Sequence, residues 1–348
     1  MAASLPTRTL TTKAGRRLSF SALGFGGAPI GNMNRVLSEA EAQATVRQAW
    51  ALGARYFDTA PLYGHGLSER RVGVALGGET RETYLLSTKV GRLLEPCAPG
   101  DEDSGIYLGV PPLKVVYDYS HDGVMRSYEA SLERLGADRV DILYVHDIDI
   151  MTHGSAEAAE ARTRELIDRG GWRALDDLRA AGDVAAIGAG VNEWEPCARL
   201  IELADPDIFL LAGRYTLLEQ EALAALLPAC IARGIGVVVG GPFNSGVLAT
   251  GAVPGAIYNY ARAPEPILRR TAAIEAVCAA HGVRLAQAAL QFPLGHPAVV
   301  SVIPGGQTAD QVAQNLGLLN APIPDTLWRD LRAAGLMSLD APTPEARD

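Results

Sequence analysis

From residue 18 onward, apolar runs of strand length alternate without a break with stretches of helical spacing, and this alternation constrains the fold more than any other feature. The apolar runs are SFSALGFGG, RYFDTA, TYLLSTKVG, RVDILYVHD, DVAAIGAGVN, DIFLLAGRYTLL, GVVVGGPF and VVSVIPGG. Helical patterns follow each of them, among them SEAEAQATVRQAWALG, SERRVGVAL, DGVMRSYEASLERLG, a long helix near 161–181 and TADQVAQNLGLL. Ser38, Ser68, and Ser120 or Asp122 stand where helix N-caps are expected. Several runs are apolar throughout, as expected when both faces of a sheet are covered. Eight β-then-α units predict an α/β fold, the (β/α)8 TIM barrel, as a single domain over 1–348 with its core at about 18–320. A doubly wound open sheet is the runner-up. It is disfavoured because SALGFGGAPIG after the first run is not a GxGxxG opening a helix.

At 348 residues the chain exceeds the ~250 typical of such barrels. The surplus falls in enlarged loops after the third run (about 92–119), the fourth (147–160) and the seventh (244–263). All three belong to the barrel's C-terminal face, where such folds keep their sites. TRTLTTKAGRRLSFSALGF reads as an N-terminal β-hairpin turning at Lys13, Ala14 and Gly15, and PTPEARD at the other end as a loose tail.

Composition excludes several classes. A formal charge of −9 argues against nucleic-acid and anionic-membrane partners. No run reaches the ~18 apolar residues of a membrane span. Cys97, Cys197, Cys230 and Cys278 are far apart and form no CxxC, which argues against a metal site or a disulfide framework. The first 37 residues lack acids, but nothing in them has the long apolar stretch of a secretory signal. A cytoplasmic protein, monomer or homodimer, is expected.

Four side chains then stand out. The second run ends at Asp58, with Tyr63 in the loop beyond; the third ends at Lys89 and the fourth at His146. Singly, each has an ordinary explanation as a cap, a rim lysine or a structural donor. Neighbouring barrel strands lie roughly 5 Å apart, so the four can converge. Their chemistry suits proton transfer beside a carbonyl: a phenol titrates near 10, a neighbouring ammonium favours phenolate, and a carboxylate holds that ammonium in place. None of these groups carries hydride, so redox chemistry calls for a nicotinamide.

DTAPLYGHGLSE, STKVG and YVHD resemble the motifs of the aldo-keto reductase superfamily, and the resemblance spans about 18–320. It implies that Asp58, Tyr63, Lys89 and His146 form a catalytic tetrad, with Tyr63 as proton donor or acceptor. It further implies a nicotinamide bound across the barrel mouth, with Gly27 nearby, Asn192 on the carboxamide and Tyr215 stacked on the ring. Ala212 stands where the family has a Gln. The loop after the seventh strand (Gly241, Pro242, Phe243, Asn244, Ser245, Gly246, Leu248) would fold over the pyrophosphate. Ile303, Pro304, Gly305, Gln307, Gln311 and Asn315 would meet the adenosine. No Lys or Arg occupies this last segment, so NAD is expected over NADP. DYSHDGVMRSYEASLERLG, YVHDID, GVNEWE and LAGRYTLLEQ resemble the aldose 1-dehydrogenases that act on L-fucose and D-threo-aldoses. That implies a small-molecule hemiacetal substrate oxidised at C1, with pyridoxal or a general aldehyde as alternatives. Asp147, Asp149, His153 and Trp172 are further candidates for substrate contact. The reading from another class is a cofactor-binding regulatory subunit.

Overall fold

A computed structural model of the chain describes residues 5–344. Eight strands make one sheet in sequential order: β1 (Phe25–Gly26), β2 (Tyr56–Asp58), β3 (Leu85–Val90), β4 (Ile142–His146), β5 (Ala186–Val191), β6 (Ile208–Ala212), β7 (Gly236–Gly240) and β8 (Val299–Ile303). All neighbouring pairs are parallel. Parallel bridges from Leu23 to Val302 and from Gly26 to Gly305 join the two edges, so the sheet is a closed barrel. Closure leaves the eight-stranded sheet itself without an edge strand.

Because side chains alternate along a strand, each stave feeds two cores. Leu143, Val145, Ile187, Ala189, Phe209, Leu211, Val237 and Val239 point outward into the layer shared with the helices. Tyr56, Ile142, Tyr144, Ile208, Leu210 and Val238 point inward. The N-terminal hairpin, Thr7–Thr11 paired with Arg17–Ser21, plugs the bottom of the barrel with Leu10, Leu18 and Phe20. Its turn lies where the sequence places it, with Gly15 at φ 76. The SFS of SFSALGFGG belongs to this hairpin, and the first barrel strand is only Phe25–Gly26.

Helix starts follow the sequence in two of three cases. Ser38 and Glu41 form a reciprocal capping box, and Ser120 accepts from the Gly123 amide. Ser68 is not a cap: the helix Leu67–Leu76 begins earlier, at Gly66, and the Ser68 hydroxyl donates to the Gly27 carbonyl at 2.8 Å. The long helix expected near 161–181 is two helices, Ala156–Asp168 and Gly171–Ala181, separated by Gly170 at φ 78. The enlarged loops are partly ordered: the first holds the hairpin Arg92–Pro96/Leu113–Tyr117, and the third the short hairpin Ile257–Tyr258/Ala261–Arg262. Of the expected tail, Glu345–Asp348 lie outside the described residues. Ala341, just before it, is buried in the outer core. Among the described residues no helix is long and apolar enough to cross a membrane.

Candidate active site

Strand parity selects the residues at the barrel mouth. Continuing the inward rows by two residues from Tyr56, Ser87 and Tyr144 reaches Asp58, Lys89 and His146. The register sets Asp58 beside Ser87, Lys89 beside Tyr144 and His146 beside Gly190. The lower row is a hydrogen-bonded floor: Tyr56 Oη lies 3.0 Å from Ser87 Oγ and 3.1 Å from Tyr144 Oη. Ser87 in turn donates to Asp58 Oδ1 at 2.7 Å. In the upper row Lys89 Nζ donates to Asp58 Oδ2 at 2.7 Å and to the Thr59 carbonyl at 2.9 Å. Both partners are buried, at 1% and 2% exposure, so each charge depends on the other for the solvation it has lost.

Tyr63 arrives from the loop after β2. Its backbone presses on Gly31: a Cβ on Gly64, at φ +65, would lie 2.2 Å from the Gly31 carbonyl oxygen, so a side chain at either glycine would displace the loop. The Tyr63 ring lies over Lys89, with Nζ 4.6 Å from its centroid, and stands edge-on to the His146 ring at 5.8 Å. The structure thus brings all four sequence-predicted residues together. One electrostatic expectation changes. Burial holds the Tyr63 phenol well above its ordinary value, and the Asp58 charge adds to this. Lys89 gives its hydrogens to Asp58 and Thr59 and faces the ring of Tyr63, so the carboxylate outweighs it. Burial, with Arg92 and Lys89 nearby, pushes His146 well below its ordinary value, which leaves a neutral imidazole.

Beside the four lies a cluster that the sequence only half revealed. Asp147 takes a left-handed backbone, φ 46, and is pinned by its amide to Gly190 O at 2.9 Å. Its carbonyl accepts from Tyr119 Oη at 3.0 Å and faces His153 Nε2 at 2.9 Å. Its carboxylate is bonded to Arg92, receives Asn192 Nδ2 at 2.9 Å, and lies 3.4 Å from His146 Nε2. Burial pushes the Asp147 carboxyl up to about 7, Arg92 and Lys89 opposing and Asp149 reinforcing the rise. Of the other candidates, Asp149 caps the helix Ile150–His153 and His153 braces Tyr117. Trp172 is packed in the outer core. Arg92, Tyr107 and Tyr260 line the cavity and were missed, because they come from loops where no periodicity marks them.

A cavity of about 320 Å³ opens above Tyr63, Lys89, His146 and Asp147. Asn192, Ala212 and Tyr260 also line a second cavity of about 320 Å³, bordered by Gly27, Gly241–Gly246, Ile303 and Gly305. A third, about 650 Å³, continues past Phe243 and Gly305 to Gln311, Asn315 and Arg284. The upper inward positions of β5, β6 and β7 are Gly190, Ala212 and Gly240, so this side of the mouth is hollow. A Cβ on Gly27 would lie 2.7 Å from Asp58 O and from Ser68 Oγ, and that wall is bare backbone. A long groove walled by backbone fits an extended dinucleotide. Asn244 borders the second cavity while its amide is held by Thr216 and Gly213. Other expected cofactor residues line none of the three cavities, and Leu248 is fully buried. The Pro304 carbonyl helps to close the barrel, and Gln307 donates to Met33 O. Tyr215 is a correction: it is fully buried against Phe292 and His296, at 5.2 and 5.5 Å, and lines none of these cavities. The chain turns at Gly213, φ 70, and carries Tyr215 away from the mouth.

Residues 22–335 match the model of the Aldo/keto reductase family, and the chain belongs to that family. It is an oxidoreductase of the aldo-keto reductase type, a family that uses nicotinamide cofactors. It is 43% identical over 331 residues to pyridoxal 4-dehydrogenase of Microbacterium luteolum, covering 92% of this chain and 96% of that one. It is 40% identical over 332 residues to D-threo-aldose 1-dehydrogenase of a Pseudomonas species, covering 94% and 96%. The holo form of an aldo-keto reductase from Bacillus halodurans superposes with a TM-score of 0.73 at 24% identity over 98% of both chains, a likeness of fold.

Proposed function

We propose that this chain oxidises an aldose, in its cyclic hemiacetal form, at C1 to the lactone, with NAD preferred over NADP. The observation that carries the reading is the convergence of Tyr63, His146 and the buried Lys89–Asp58 pair beside a cavity with polar walls. The relative named for D-threo-aldose oxidation supports the substrate class. Gly27, Asn192, the 241–246 loop and the 303–305 segment would hold a nicotinamide, which would supply the acceptor for hydride from C1. Tyr63 removes the proton of the anomeric hydroxyl as its carbonyl forms. Lys89, fixed by Asp58 and Thr59, offers positive charge to the developing phenolate. His146, neutral and half-ringed by charge, hydrogen-bonds the reacting oxygen and orients the sugar. The preference for NAD rests on Gly305, Gly306, Gln307 and Gln311, which offer no cation. Arg284 lines the third cavity together with Glu275. A reducing, cytoplasmic setting agrees with four free thiols.

A second reading, oxidation of pyridoxal to its lactone, is favoured by the 43% identical relative and needs the same proton transfer from a cyclic hemiacetal. A panel of L-fucose, D-arabinose, L-galactose, L-glucose and pyridoxal, each with NAD and NADP, separates them. NADH formation from an aldose is the expected result. Turnover of pyridoxal alone selects the second reading, turnover of simple aldehydes alone a general reductase, and no turnover at all a cofactor-binding regulatory subunit. Comparable kcat/KM with NADP overturns the cofactor preference.

A further inference from the structure

Resting on the sugar-oxidation reading, the geometry points to Asp147 and Arg92 as the pair that recognises the C2 and C3 hydroxyl groups of a polyhydroxylated substrate, next along the chain from the reacting C1. Both side chains line the cavity that holds Tyr63 and His146, and both are buried, at 7% and 6% exposure. They reach it from different directions: Asp147 directly follows His146 on β4, and Arg92 opens the hairpin just past β3. A sugar hydroxyl donates one hydrogen bond and accepts others, so a carboxylate beside a guanidinium meets both needs at once.

The pair is held as a site is held. Asp147 keeps a left-handed backbone that a non-glycine residue rarely adopts, and three backbone hydrogen bonds enforce it. Arg92 is fixed by Asp147, by Thr152 Oγ1 at 3.4 Å, and by the Tyr117 ring 5.3 Å from its Cζ. A tether between hairpin and barrel would need none of this. Apolar residues would make it at less desolvation cost. Asp147 also receives Asn192 Nδ2 and approaches His146 Nε2, so the hydroxyl-binding group is coupled to the groove and to the reacting oxygen. A cavity for simple aldehydes gains nothing from a desolvated ion pair in its wall.

The test compares kcat/KM for the best aldose with its 2-deoxy and 3-deoxy counterparts in the native protein, Asp147→Asn, Arg92→Met and Arg92→Lys, with NADH binding followed by fluorescence. The native ratio of aldose to at least one deoxy sugar is expected to be about a hundredfold, as when a missing hydroxyl leaves buried charged groups without a hydrogen bond. It should collapse toward unity in Asp147→Asn and Arg92→Met, mainly through KM, and recover in part in Arg92→Lys. A ratio that survives while both rates fall equally overturns the assignment and leaves a merely structural pair. If Asp147→Asn does not fold, the two Arg92 variants decide. A native protein that oxidises no aldose removes the sugar reading and this assignment together, whereas an aldose dehydrogenase with an unchanged ratio removes only the assignment.

Discussion

The two sides of the barrel mouth are built on opposite plans. On β2–β4 the uppermost inward residues are Asp58, Lys89 and His146, large, polar and cross-bonded over a floor of Tyr56, Ser87 and Tyr144. On β5–β7 the equivalent positions are Gly190, Ala212 and Gly240, which contribute almost no side chain. One side fixes reacting groups and the other makes room. The same periodicity of two along parallel strands generates both, so the contrast lies in the choice of residue and not in the backbone. Tyr63 closes the crowded side from above, and the 241–246 loop borders the hollow one.

Breaking the crowded side at Tyr63 should have the largest effect. Tyr63→Phe is expected to lower kcat by about a hundred- to ten-thousandfold, the usual span for a lost general acid or base, while NADH titrates as in the native protein. Retained activity would move the proton transfer elsewhere. The pH profile sharpens the same point. With its phenol held above its ordinary value, Tyr63 is protonated at neutral pH, so oxidation, which needs a proton acceptor, should climb about tenfold per pH unit without levelling below pH ~10. Asp147, which sheds its proton near pH 7, acts in the same direction. Neutral His146 adds no step near its ordinary value. A plateau reached by pH ~8 would contradict this electrostatic picture.

The next effect is on stability. Lys89→Met strands the Asp58 carboxylate in the barrel and should cost about 3–5 kcal/mol in urea unfolding, whereas adding Asp58→Asn should recover most of it. The smallest effect is on the hollow side. A Cβ on Gly240 would lie 3.1 Å from Leu210 Cδ2, so Gly240→Val intrudes into the second cavity, which Gly240 lines. It should weaken NADH binding about tenfold, ~1.4 kcal/mol, with the unfolding midpoint little changed. Equal binding by this variant would mean that the hollow does not hold the cofactor.

Much of this was legible in the chain because strands declare their parity. Asp58 and His146 each close a strand, and Lys89 stands one residue before the end of its own, which runs on to Val90, so alternation aims all three inward at one end. Tyr215 also stands beside an apolar run, but Gly213 turns the backbone first, and no periodic signal shows which way the chain leaves such a turn. Ser68 has the composition of a cap, yet a tertiary partner, the Gly27 carbonyl, claims its hydroxyl. The break at Gly170 is likewise tertiary: a Cβ on Gly171 would sit 2.0 Å from Tyr119 O, so the next helix must start against that carbonyl. Arg92, Tyr107 and Tyr260 lay beyond reach because loops obey no period, and only the closed barrel brings them over one cavity.

The plugged base carries a consequence for synthesis. The N-terminal hairpin is translated before the barrel that it plugs, yet Arg8 donates to the Val299 carbonyl at 2.7 Å and to the His296 carbonyl at 3.1 Å, both beside or on β8. Ser301 similarly donates to Ser21 O at 2.8 Å. Until β8 is translated, Leu10, Leu18 and Phe20 have only part of their burial, and the nascent chain carries a greasy, unsealed base that waits on the last stave.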